Sequence, residues 1–229
     1  MIEDPPLLTV RRRTARPDFA KLGALAGVQT GNLVDAMDGR GALDYAIKPI
    51  DPKRSAFVGP ALTCEPGPSD NLAILAAIAL AEPGDVIVAA GDGFTGTAIV
   101  GDNMAAMARN RQVAAIVADG LVRDSAGVVG VGLPMFARGI TPNSCAKSGP
   151  GRVGLPVVVG GVSVEAGDVV VGDLDGVVVI PRAQLDAVLD RLAAVRRAEA
   201  TLQQKIARGL DCPEAVRALL GSDRVRYVD

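Results

Sequence analysis

Apolar and polar positions change period twice along the chain. From Phe19 to Met37 they recur at helical spacing, broken around Gly27 to Gly31, with Asp35 in the second half. Ala56 to Glu65 reads as a strand. Asp70 then caps a strongly apolar helix, Asn71 to Ala81, which Pro83-Gly84 ends. Strand Val86 to Ala90, helix Gly101 to Asn110 and strand Ala114 to Ala118 make a β-α-β unit. Beyond it the rhythm shortens to Val-rich runs (Val157 to Val159, Val169 to Val171, Val177 to Ile180) separated by Gly, Pro and Asp turns. Helical spacing returns in a single terminal helix, Arg182 to Arg208, before the Gly209 stop. These patterns divide the chain into an extended, Pro- and Arg-rich arm (1–17), an α/β core (18–181), and a C-terminal helix and tail (182–229). The tail packs on the core or on a neighbouring subunit. EPGDVIVAAGDG (82–93) returns as EAGDVVVGDLDG (165–176), and VGLPMFARG as VGLPVVVGG. Two copies at unequal spacing are reused strand-and-turn units rather than a repeat architecture.

Composition narrows the picture. With 229 residues, the chain has room for one domain with a substantial core, or at most two small ones. Half the residues are apolar, yet the aromatics are only four Phe and two Tyr, so Val, Ala, Leu and Ile must build the core. The net charge of -2 is near zero and basic residues are scattered, which is no nucleic-acid footprint. Arg11-Arg12-Arg13 reads as a solvated face or a subunit contact. Three cysteines (Cys64, Cys145, Cys212), far apart and without a CxxC or a secretory leader, suit the cytoplasm rather than disulfides or structural zinc. No apolar run reaches the roughly 20 residues that span a bilayer. The chain has no histidine, which removes imidazole acid-base chemistry, His-ligated zinc and Ser-His or Cys-His nucleophiles. Catalysis must then use carboxylates, Arg, Lys, metal ions with their water, or backbone dipoles.

The densest candidate chemistry lies between Gly101 and Asp124. Asp102 sits at a helix start, and Arg123-Asp124 follows the apolar run Ala114 to Val117. Two carboxylates and a guanidinium at element ends suit a hydrated divalent cation and an anionic oxo-acid. They equally suit a capping Asp and a surface Arg-Asp turn. The first amides of this helix, those of Asn103 and Met104 among them, lack intrahelical acceptors and can hold a carboxylate. Gly91-Asp92-Gly93-Phe94-Thr95-Gly96 is a formal GxGxxG, with Asp119 ending the next strand, and supports a dinucleotide or adenosyl site. Against that, it does not open its domain and the β-α alternation soon stops. In the terminal helix, Leu185, Val188, Leu189, Leu192, Val195, Leu202 and Ile206 form an apolar stripe that Glu199 interrupts. A carboxylate there needs a partner or a cation, unless Ala198 takes the buried slot. Ser125 and Ser144 read as turn residues, and Cys64 and Cys145 as small apolar ones.

Six pieces, PGPSDN (66–71), EPGDVIV (82–88), GDNMA (101–105), DGLVRDS (119–125), GLPMFARG (132–139) and AGDVVVGDLDGVVVIP (166–181), occur in the order of one family. From about Leu22 to Tyr227 the chain resembles the class II pyruvate aldolases that cleave 4-hydroxy-4-methyl-2-oxoglutarate and 4-carboxy-4-hydroxy-2-oxoadipate. They share their fold with the regulator of ribonuclease E activity. The resemblance implies an α/β, layered α-β-β-α sandwich with short Val-rich strands and a C-terminal helix. It implies a lyase that releases pyruvate from a 4-hydroxy-2-oxo acid and decarboxylates oxaloacetate. In the matching positions Asp124 is the direct ligand to Mg²⁺ or Mn²⁺, and Arg123 contacts the 2-oxo oxygen. The helix start at Gly101, Asn103 and Met104 holds the pyruvate carboxylate. Asp102 reaches the metal through water, as does Glu199, donated by a neighbouring subunit of a homotrimer or homohexamer. Relatives often carry basic residues at the positions of Arg138 and Lys147, which could pair with a distal substrate carboxylate. The chain departs at Gly127, where the family usually has an acid. The other readings are a non-catalytic regulatory binding protein and, on the glycine motif alone, an adenosyl-dependent methyltransferase.

Overall fold

The computed structural model describes residues 6–229. β1 (Leu8–Val10) pairs in parallel with a strand at Gly151–Val153; the arm before Pro6 lies outside the described residues. α1 (Phe19–Leu22) starts at Asp18, whose carboxylate accepts the Ala20 amide at 3.0 Å. A break at Ala26 to Gln29 separates it and its trailing 3-10 turn from α2 (Thr30–Ala36). β2 (Lys48–Pro49), β3 (Phe57–Glu65) and α3 (Leu72–Leu80) follow. β4 (Val86–Val100) runs ten residues past the expected end at Ala90, through the glycine motif, before α4 (Asp102–Asn110). Then come β5 (Ala115–Val122), α5 (Ser125–Val131), β6 (Met135–Ala137) and β7 (Gly139–Ile140). β8 (Gly151–Val153), β9 (Val157–Val159), β10 (Val162–Val164), β11 (Val169–Gly172) and β12 (Val177–Ile180) are the short Val-rich strands. The chain ends with α6 (Leu185–Ala207) and α7 (Glu214–Leu220). The expected single terminal helix is thus corrected to two. Gly209 at φ +98 stops the first, and Pro213, with φ fixed at -56, starts the second.

Period-2 alternation sorts the core into three layers of contact. In β4, Ile87 and Ala89 face α3 and α4, joining Ala73, Ile74, Ala77, Met104, Ala105 and Ala108. Their neighbours Val86, Val88 and Ala90 face the opposite way, onto Val157, Val159, Val164, Val170, Val177 and Val179. β11 and β12 alternate likewise, so that Val169, Val171, Val178 and Ile180 pack on Leu25, Leu33, Leu185, Val188 and Leu192 of the helices beyond. Helices, parallel sheet, antiparallel strands and helices therefore stack as an α-β-β-α sandwich. β3 joins the two sheets: Ala61 to Cys64 pair in parallel with β4, whereas Phe57 to Pro60 pair antiparallel with β11. Inside, Phe136 meets Phe57 edge-on at 5.4 Å between ring centroids. Truncating Phe136 to Ala would cost about 3–5 kcal/mol.

The sequence echo is one turn used twice. Asp85 and Asp168, both buried, accept the amides of Glu82 and Glu165 respectively, each at 2.9 Å. The intervening Gly84 and Gly167 have φ +86 and +95, which a side chain would strain. No described helix is long and apolar enough to cross a membrane.

Candidate active site at the ends of two strands

β4 and β5 run in parallel with Val100 beside Val122. Both strands end there, so the residues that follow, Gly101-Asp102 and Arg123-Asp124, emerge side by side. The Arg123 amide donates to the Val100 carbonyl at 3.0 Å, which fixes the register. In open α/β sheets, ligands bind at this carboxyl end of the strands. A β-carbon on Gly101 would lie 3.2 Å from Asp124 Oδ2 and 3.2 Å from Arg123 Cγ. Glycine thus lets the start of α4 approach the Arg-Asp pair.

Asp124 has a left-handed backbone (φ 56, ψ 44) at the N-cap of α5, yet its side chain makes no capping bond. Such a backbone costs a non-glycine residue roughly 1–2 kcal/mol. The carboxylate is turned instead toward Arg123, whose Nε donates to Oδ2 at 2.7 Å. Both side chains are more than a third exposed, at 38% and 40%, so this pair contributes at most about 1 kcal/mol. Strain at an exposed carboxylate that caps nothing points to function. Arg123 Nη1 also donates to Ser144 Oγ. Ser144, read from sequence as a turn residue, thus holds the guanidinium from the other side.

Asp102 is the first helical residue of α4, with Gly101 as N-cap. Its Oδ1 accepts the Asn103 amide at 2.6 Å, so this donor is already engaged. The first intrahelical bond is Ala105 to the Gly101 carbonyl at 3.0 Å, which leaves the Met104 amide without an acceptor among the described residues. Beside Met104, the buried Asn71 at the start of α3 places Nδ2 3.5 Å from the sulfur, while its Oδ1 has no partner. Asp70 caps α3 through the Leu72 amide at 2.8 Å and also accepts the Gly149 amide at 3.0 Å. It thereby anchors the loop that carries Ser144, Cys145 and Lys147. Burial pushes the Cys145 thiol up, as does Asp70, against the nearby charges of Lys147 and Arg123.

Two expectations change. Arg138 is not free for a substrate carboxylate: it donates to Asp119 through Nε and to Asp44 through Nη1, the latter at 2.8 Å. Burial lowers its pKa, but these two carboxylates outweigh burial and raise it. The glycine motif opens no helix but forms a bulge inside β4, with Ala89 and Phe94 opposite Ala118 and Gly120. A β-carbon on Gly91 would lie 2.5 Å from the Asp119 carbonyl oxygen, so close strand packing already requires this glycine.

Glu199 does occupy the stripe of α6: it is half-buried, whereas Ala198 is exposed. Asn32 Nδ2 donates to its Oε2 at 2.8 Å and Gln203 Nε2 to its Oε1 at 3.2 Å. Among the described residues, no hydrogen bond or ion pair joins Glu199 to Asp102, Arg123 or Asp124. Nor do three acidic or cysteine side chains of one chain gather as a metal cage there. A cavity of about 840 Å³, lined in part by Glu65, Gly91, Asp92 and Arg152, contains none of these site residues. Asp124 is exposed, and Asp102 and Arg123 are partly exposed.

The model of the RraA-like family, described as Aldolase/RraA, matches residues 30–179. A Halalkalibacterium halodurans protein named "Putative 4-hydroxy-4-methyl-2-oxoglutarate aldolase" is 40% identical over 164 residues, 72% of this chain and 78% of its own. RraAS2 of Streptomyces coelicolor, described as an unusual member of the RNase ES inhibitor RraA protein family, superposes with a TM-score of 0.74 at 28% identity. That match covers 83% of this chain and 100% of that one. The RNA-processing inhibitor RraA from Thermus gives 0.61 at 30% identity, over 67% of this chain and 93% of its own. Sequence and architecture agree: the chain belongs to the aldolase/RraA family.

Proposed function

We propose that this protein is a divalent-metal-dependent lyase that cleaves a 4-hydroxy-2-oxo acid to pyruvate and a second carbonyl compound, and that it decarboxylates oxaloacetate. One observation carries the reading: Arg123 and the strained Asp124 lie against the glycine start of α4. Hard carboxylate oxygens at Asp124 and Asp102 suit Mg²⁺ or Mn²⁺, which need few protein ligands. The space around both is kept open by Gly101 and Gly127, where a β-carbon would crowd them. Asp124 would bind the cation directly, and Asp102 and Glu199 of the partner subunit through water. The cation, when bound, supplies an electron sink at the carboxylate and 2-oxo oxygen.

The chain's own groups perform the rest. The Met104 amide holds the substrate carboxylate at the positive end of α4, joined by the Asn103 amide once Asp102 turns away from it. Arg123 hydrogen-bonds the 2-oxo oxygen, where negative charge develops. The 4-hydroxyl loses its proton to a water held by Asp102 and Glu199 of the partner subunit. The C3–C4 bond then breaks, its electron pair forms the pyruvate enolate, and the enolate takes back at C3 the proton that this water and its carboxylates received.

A homotrimer or homohexamer suits this division of labour. Asp124 is exposed, as are Leu202, Ile206, Val216, Leu219 and Leu220 at the C-terminal end. Pyruvate release from 4-hydroxy-2-oxo acids that requires Mg²⁺ and stops with a chelator tests the reading. The likeness to the RNA-processing inhibitor favours a second one, regulatory binding, which predicts no such release.

A further inference from the structure

Glu199 is a half-buried carboxylate on the apolar stripe of α6, and its hydrogen-bond partners are neutral. Its two hydrogen bonds come from the amides of Asn32 and Gln203. Of the basic residues of α6, Arg191 pairs with Asp38, and no ion pair among the described residues involves Glu199. Its negative charge is therefore oriented but not neutralised within the chain, which suits a cation presented from outside.

The orientation comes from α2. Asp173, in the turn between β11 and β12, accepts both the amide and the hydroxyl of Thr30, at 2.7 and 2.8 Å. This clamp fixes the first turn of α2 to the sheet, and Asn32 lies in that turn. α2 packs along α6, and Asn32 bridges the two helices to one oxygen of Glu199. Gln203 is a weaker guide, being exposed, farther away and on the same helix as Glu199. We infer that Asn32 is the positioning residue of Glu199, and that the two enter the partner subunit's cleft together. The inference rests on the proposed role of Glu199. Asn32 touches no substrate: it aims the carboxylate and keeps one lone pair of each oxygen free for the hydrated cation.

The test uses the full-length oligomer and two readouts: exchange of pyruvate methyl protons in deuterated solvent, and binding of Mg²⁺ followed by calorimetry in the absence of substrate. Asn32→Ala and the isosteric Asn32→Asp should each lower exchange and weaken Mg²⁺ binding about 10- to 100-fold with unchanged melting temperature. Asn32→Ser, which keeps a donor, should recover part of the loss. Subunit mixing then locates the residue. Asn32→Ala mixed with Asp124→Ala should regain activity, because some clefts pair an intact Asp124 with an intact Asn32 and Glu199. Asn32→Ala mixed with Glu199→Ala should not, since every donated α6 face is then defective. Full activity of the Asn32 variants beside an inactive Glu199→Ala overturns the inference. Recovery in the second mixture overturns it as well. Full activity of Glu199→Ala itself overturns the underlying role of Glu199.

Discussion

Gly127 faces Asp102 so closely that a β-carbon on it would sit 2.5 Å from Asp102 Oδ2. The carboxylate of Asp102 reaches across from α4 to α5 and takes the space a side chain at position 127 would need. Ala in place of Gly inside a helix ordinarily adds about 1 kcal/mol of helix stability. We therefore expect Gly127→Ala to leave the melting temperature level or raised while turnover falls at least tenfold, because Asp102 must move. Gly127→Asp should be worse, adding a like charge. Turnover equal to the parent's in Gly127→Ala would show that the orientation of Asp102 does not matter.

Asp124 combines a strained backbone with a side chain that stabilises little. Asp124→Gly should raise stability by roughly 1 kcal/mol through relief of the left-handed conformation. The same change should abolish Mg²⁺-dependent pyruvate release. Calorimetry and a magnesium titration on the same preparation read both effects. A variant that gains stability but keeps its metal response would remove Asp124 from the site.

Arg123 is held by Asp124 through Nε and by Ser144 through Nη1, which leaves the N–H groups of Nη2 without a partner among the described residues. Lysine offers a point charge instead. Arg123→Lys is expected to lose at least 100-fold in oxaloacetate decarboxylation, and Ser144→Ala about tenfold. Losses below threefold in Arg123→Lys would make Arg123 structural.

Asp102→Asn should lower turnover more than it weakens pyruvate binding, because amides and the cation hold the pyruvate whereas Asp102 orients a proton carrier. The discriminating measurement is pyruvate methyl exchange in deuterated solvent. An unchanged exchange rate would contradict the role.

The ion pairs of Arg138 set a pH dependence of stability. Asp44 has its pKa lowered, first by the Ala46 amide and then by Arg138. A depressed carboxyl pKa contributes stability that is fully present above the unfolded value, near 3.8, and lost as pH falls through the folded one. The melting-temperature difference between parent and Asp44→Asn should thus be constant near neutrality and shrink below about pH 4. A difference that persists at pH 2 would show that the Ala46 and Arg138 contacts do not depend on the Asp44 charge.

Local order was legible where one element decides it. Period-2 valines, the cap at Asp70, and the paired Glu82–Asp85 and Glu165–Asp168 turns all rest on contacts between residues a few positions apart. Alternation in β4, β11 and β12 even separates the layers, since side-chain direction follows from the strand itself. The long bulge of β4 was not legible, because Gly91, which reads as the start of a phosphate loop, is there to admit the backbone of β5 at Asp119. α7 was missed because Gly209 stops one helix without forbidding another.

For the site, the chain itself determined the residue types: no histidine, carboxylates and Arg at element ends, and an acid in the stripe of α6. Tertiary structure decided which of them meet. It set Arg123 and Asp124 against Gly101 through the parallel register of β4 and β5, withdrew Arg138 into an internal ion pair, and gave Ser144 and Asn32 partners that no local pattern marks. Those partnerships link residues far apart in sequence, so their energy depends on how layers stack, and spacing along the chain carries no trace of it.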